Sequence, residues 1–116
     1  MIIGGTNLKV AVIGSRGLTV ENLKDYLPKE STEIVSGGAK GIDTGAKNYA
    51  NAHGIKYKEF LPDYAIYKRG APLKRNEKII EYSDLVIAFW DGKSSGTKFV
   101  IDTCKKIGVD IKVILK

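Results

Sequence analysis

Three glycine-bearing loops follow directly on β-branched apolar runs in this chain. Gly14-Ser15-Arg16-Gly17 comes after the run Leu8 to Ile13. Ser36-Gly37-Gly38-Ala39-Lys40-Gly41-Ile42-Asp43 closes the run that begins at Glu33, and Asp91-Gly92-Lys93-Ser94-Ser95-Gly96-Thr97 follows Asp84 to Phe89. A strand that ends in glycine and hands over to a helix leaves backbone N–H groups free at the helix start, and the missing Cβ lets an anion approach them. Three such loops predict a phosphate-bearing ligand at the carboxyl edge of a parallel sheet, where open α/β folds bind ligands.

The rest of the chain fits that frame. Thr19 is placed to cap a helix running to about Leu27, which Pro28 closes. Ile42, Ala46, Tyr49 and Ala50 recur at helical spacing until Gly54, and Ile55 to Phe60 reads as a third strand. Pro62 to Gly70 reads as a loop, followed by a helix from about Ala71 or Pro72 to Tyr82. Leu85, Val86, Ile87 and Ala88 are consecutive, as in a central strand covered on both faces. A helix after Gly96 buries Val100, Cys104 and Ile107, and Ile111 to Leu115 forms the last strand. Right-handed crossovers then predict a Rossmann-like three-layer α/β/α domain over residues 1–116, with a five-stranded parallel sheet of order 3-2-1-4-5. Strands 2, 1 and 4 are neighbours in that order, so the three loops meet at one switch point.

Composition narrows the function. The 116 residues suffice for one domain with its own core, and no apolar run approaches the roughly 20 residues that span a bilayer. The start Met1-Ile2-Ile3-Gly4-Gly5 is too short and uncharged for a signal peptide, so a cytoplasmic location and no membrane partner are expected. One cysteine and one histidine, Cys104 and His53, provide neither a disulfide nor a zinc spacing, and no metal or cofactor is implied. Nineteen basic against 13 acidic residues give a net charge of +6, which favours anionic partners without separating a nucleotide from a nucleic acid.

The candidate site residues have two readings each. Gly14, Ser15 and Arg16 form a tight turn that can grip a phosphate, Arg16 as a bidentate fork, or simply turn the chain from strand to helix. Ser36-x-Gly38-x-x-Gly41 nearly matches the dinucleotide fingerprint, with serine in place of the first glycine. Asp43 lies in the next helical turn, suited to the helix dipole or to ribose hydroxyls. Ser95, Gly96 and Thr97 offer hydroxyls and N–H groups at a helix start. Asp91 is either a ribose or water-orienting carboxylate or an ordinary turn aspartate, and Trp90 either stacks on a base or covers the sheet edge. Arg75 and Asn76, early in the helix before the fourth strand, reach the same crevice or belong to a solvated charged face. Cys104 reads as core and His53 as a helix-end surface residue.

Val12-Ile13-Gly14-Ser15-Arg16, Val35 to Asp43, Arg75-Asn76-Glu77-Lys78-Ile79-Ile80 and Ser95-Gly96-Thr97 together resemble the SLOG superfamily, over nearly the whole chain. That group contains the DprA/Smf proteins, the Lonely Guy hydrolases and small stand-alone domains of the YspA and YpsA type, and the short YspA-like group is the nearest in pattern. Resemblance to those small domains implies a role in sensing or processing a nucleotide-derived ligand. Resemblance to DprA, through Gly14 to Arg16, Ser36 to Asp43 and Arg75-Asn76, implies single-stranded DNA binding, with Arg16, Lys40, Lys74, Arg75 and Tyr64 or Tyr67 as charge and stacking platforms. Resemblance to the Lonely Guy enzymes implies cleavage of a nucleoside monophosphate, with Arg75 matching their catalytic arginine. Their Pro-Gly-Gly-x-Gly-Thr-x-x-Glu motif is matched only at Gly96-Thr97, and Val100 stands at the glutamate position. The relatives' habit of dimerising also implies a homo-oligomer, although no apolar stripe in the sequence marks an interface.

Overall fold

Alternating β-branched residues bury both sides of a strand only where helices cover both faces of its sheet. The chain is arranged in this way in a computed structural model that describes residues 7–38 and 41–116. Residues 1–6, Ala39 and Lys40, and with them the reading of Lys40 as a DNA contact, lie outside the described residues.

The strands are β1 (Lys9–Gly14), β2 (Glu33–Ser36), β3 (Lys56–Glu59), β4 (Leu85–Trp90) and β5 (Asp110–Leu115). They form one all-parallel sheet of order β3-β2-β1-β4-β5, the predicted Rossmann-like topology. The helices are α1 (Ile42–Ala52), the four-residue α2 (Tyr64–Tyr67), α3 (Ala71–Tyr82) and α4 (Ser95–Ile107). From β1, Val10 and Val12 enter a core layer with Ile34, Ile87 and Phe89 under Ile42, Ala46 and Ala50 of α1. Ala11 and Ile13 point the other way, into a layer with Val86 and Ala88 under Ile79 and Ile80 of α3 and Val100, Ile101 and Cys104 of α4. The register Val10↔Leu85 to Gly14↔Phe89 brings the ends of β1 and β4 level, so their loops leave the sheet side by side.

The first crossover departs from expectation. Thr19 caps no helix among the described residues, and only a 3-10 turn, Leu23–Asp25, forms there. Asn22 precedes that turn, and its side-chain amide donates to Asp25 Oδ2 at 3.0 Å, so no side chain caps a backbone N–H. A segment this short, opened by the β-branched pair Thr19-Val20, does not sustain a helix unless packing selects one. Packing instead uses Leu18, Val20, Leu23 and Tyr26 as an irregular cover over the α1 face, with Tyr26 edge-on to Phe89. Conversely, the expected loop after Pro62 contains α2 and a 3-10 turn, Lys68–Gly70. Asp63 is the overlooked signal: its carboxylate accepts from the Ile66 N–H at 3.2 Å and caps α2.

Candidate functional site

The loops after β1, β2 and β4, together with the chain after β3 and the start of α3, enclose a cleft of about 550 Å³ at the carboxyl edge of the sheet. All of the predicted site residues line it except Ser15, Ser36 and Gly41. Those three are placed behind its wall.

Ser15 is 2% exposed, and its role is to tie loops together. Its N–H donates to Phe89 O at 3.0 Å, and its hydroxyl oxygen accepts from the Asp91 N–H at 3.2 Å. The same hydroxyl shares a hydrogen bond of 3.3 Å with Thr97 Oγ1, while the Ser94 hydroxyl donates to Thr97 at 3.4 Å. Thr97 therefore does not cap α4; it stands one turn inside, its hydroxyl joined to the first loop. Ser94 occupies the cap position without a side-chain cap. Asp91 Oδ1 instead accepts from the N–H groups of Ser94 at 2.8 Å and Lys93 at 2.9 Å, fixing the loop as a tight turn. These backbone donors, Ser94 foremost and then Lys93, hold the Asp91 carboxyl below its ordinary range. The N–H groups of Ser95, Gly96 and Thr97 have no acceptor among the described residues, and they open a 13-residue helix beside the cleft. Arg16 is exposed on this wall and makes no ion pair or hydrogen bond among the described residues.

The opposite wall is built around Arg75. Its Nη1 donates to Gly37 O at 2.7 Å and weakly to Phe60 O at 3.5 Å, and its Nε donates to Asn76 Oδ1 at 2.8 Å. A Cβ on residue 37 would collide with this guanidinium, so a side chain there would require Arg75 to shift. Burial pushes the Arg75 pKa down, opposed by the Asp43 carboxylate and by Tyr64. No carboxylate lies within ion-pair distance of Arg75 among the described residues, and the Asp43 carboxylate acts on it only at longer range. Asp43 is buried in the first turn of α1 and lines the same wall. Gly41, just before α1, adopts φ +80°, and a Cβ there would come within 2.5 Å of Leu18 O, so it shapes the loop from behind.

Ser36 is fully buried and belongs to a chain of donors. The Gly38 N–H donates to Ser36 Oγ at 3.2 Å, and Tyr57 OH donates to Glu59 Oε1 at 3.0 Å. The Tyr57 proton being engaged, the 2.8 Å bond between Ser36 and Tyr57 runs from the serine hydroxyl to the phenol oxygen. Burial pushes the Tyr57 pKa up to about 12; its serine neighbour lowers it and Glu59 raises it. Sequence patterns missed Tyr57 and Glu59, whose period-2 position on β3 beside β2 was the available signal. They also missed Leu61 and Pro62 on the rim and Pro72, Ile79 and Val100 on the wall.

Other residues fall outside the cleft. Trp90 Nε1 donates to Ser94 O at 3.1 Å and holds the third loop. His53 is exposed and stacks on Tyr49 with centroids 4.0 Å apart. Cys104 is buried, which pushes its thiol up to about 11. The described residues contain no group of three or more His, Cys, Asp or Glu suited to a metal, and no helix among them is long and apolar enough to cross a membrane. Compared with protein-family models, curated proteins and solved structures, the chain matches none.

Proposed function

We propose that the protein binds a nucleotide or nucleotide-sugar of the ADP-ribose type in this cleft, with the phosphate at the start of α4. One observation carries the reading. Two arginines without carboxylate partners among the described residues, Arg16 and Arg75, line the same cleft as the free N–H groups of Ser95, Gly96 and Thr97. Guanidinium groups without an ion-pair partner and helix-start N–H groups together complement a phosphate, and a volume of about 550 Å³ suits a small organic ligand rather than a bare ion. Asp43, Asn76 and the Gly37-Gly38 backbone then flank the ribose. The SLOG-like motifs support the same assignment, since they supply these wall residues.

Binding is favoured over cleavage by what α4 presents. Val100, at the position that matches the Lonely Guy glutamate, lines the cleft, and Asp102 lies on the exposed side, bridged to Lys98 at 2.7 Å. Asp91 has one carboxylate oxygen engaged by two backbone donors, which leaves it a weak base.

The test is thermal shift and calorimetry against AMP, ADP-ribose, NAD and short single-stranded DNA, with product analysis for released ribose phosphate. Saturable stabilisation by a mononucleotide or ADP-ribose, about 2.7 kcal/mol at a hundredfold excess over Kd, is the expected result. Stabilisation by oligonucleotides alone, falling steeply with salt, would replace this reading with DNA binding. Release of ribose phosphate would make the protein an enzyme.

A further inference from the structure

The rim of the cleft on the β3 side differs in chemistry from the rest. Leu61 and Tyr64 are 64% and 59% exposed, among the most exposed large apolar side chains in the described residues, and both line the cleft with Pro62 between them. Their backbone is fixed from below. The Phe60 N–H donates to Ser36 O at 2.9 Å, Pro62 restricts its own φ, and Asp63 caps the turn that carries Tyr64. A backbone fixed in this way holds an apolar, partly aromatic shelf in water at the mouth of the cleft, apart from the arginines and helix-start N–H groups on its other walls.

Sheet order sets the distance between shelf and phosphate site. The ends of β3 and β4 are three strand spacings apart, about 14 Å. A bare sugar phosphate seated at α4 leaves the shelf uncovered, whereas phosphate, pentose and a planar ring laid end to end reach it. Resting on the nucleotide reading above, we infer that Leu61, Pro62 and Tyr64 form a subsite for the planar base of the ligand, with Tyr64 as the stacking ring. The base lies over β3 and the phosphate over β4. Affinity for the ring comes from covering apolar surface and from stacking, both indifferent to the ligand's charge.

The experiment compares AMP with ribose 5-phosphate, which lacks the base, on the full chain and on Tyr64→Ala and Tyr64→Phe. Tyr64→Ala weakens AMP about tenfold and leaves ribose 5-phosphate unchanged, and Tyr64→Phe restores AMP binding. Because Tyr64 is exposed, the variants keep the wild-type circular dichroism spectrum and melting temperature. If Tyr64→Ala binds AMP as wild type does, or loses both probes equally, the base subsite is wrong while the nucleotide reading stands. If the wild-type chain binds neither probe, both fall.

Discussion

The two walls of the cleft carry one arginine each, but they hold it differently. Arg16, on the wall made by the loops after β1 and β4, stands exposed without a partner among the described residues. Around it the loop is secured by other groups, the hydroxyls of Ser15, Ser94 and Thr97 and the carboxylate of Asp91. Arg75, on the wall made by the loop after β2 and by α3, is itself the fastener, with donors to Gly37 O, Phe60 O and Asn76 Oδ1. One wall thus separates scaffold from recognition, and the other assigns both to a single side chain. The difference teaches that an arginine in an anion site reports on binding alone only when other residues hold the loop.

The largest expected effect follows from that contrast. Arg75→Ala leaves the Gly37 and Phe60 carbonyls without their side-chain donor and removes a cation from the cleft. It is expected to lower unfolding stability by about 1–3 kcal/mol and to weaken nucleotide binding by about 1.5–3 kcal/mol as well. Arg16→Ala is expected to cause the binding loss alone, with the melting temperature unchanged, because no intramolecular bond is broken. Denaturant melts and calorimetry on the two variants check this. Equal loss of stability in the two variants breaks the comparison, as does a binding loss in neither.

Ser15→Ala probes the scaffold of the first wall and ranks next. The change removes the acceptor of the part-buried Asp91 N–H contact and the buried link to Thr97, so a stability loss of about 1–2 kcal/mol is expected. Because Ser15 does not line the cleft, the intrinsic affinity of the folded variant should fall less than in Arg16→Ala. A variant that keeps wild-type stability but loses ligand would return Ser15 to the role of direct phosphate donor.

The fold was largely legible because its signals are local and repeated. Val10, Val12, Ile34 and Ile87 announce strands by β-branching, and helical spacing at Ile42, Ala46 and Ala50 marks α1. The missing first helix was not legible, since whether Leu18, Val20, Leu23 and Tyr26 pack as helix or as irregular cover depends on Phe89, distant in sequence. Glycine loops located the cleft, but the sequence could not say which hydroxyls face inward. Ser15 and Ser36 belong to glycine-rich stretches that look as suited to phosphate as Thr97, which does line the cleft. Their actual partners, Thr97 for Ser15 and Tyr57 for Ser36, lie 82 and 21 residues away. Arg75 likewise meets Gly37 across 38 residues, a contact no local pattern encodes.

The smallest effect is electrostatic and belongs to the first wall. Asp91 is exposed, yet backbone N–H groups of Ser94 and Lys93 hold its pKa below the ordinary value of 3.8. A carboxyl whose folded pKa is depressed adds stability above its unfolded pKa, and that contribution is lost as pH falls through the folded value. Asp91→Asn keeps an oxygen acceptor for the turn but removes the charge. Wild type should therefore be slightly more stable than Asp91→Asn at neutral pH, and the gap should close as pH drops below about 3.8. Paired denaturant melts between neutral and acidic pH measure it. A gap that persists in acid would mean the turn depends on the shape of Asp91 rather than on its charge.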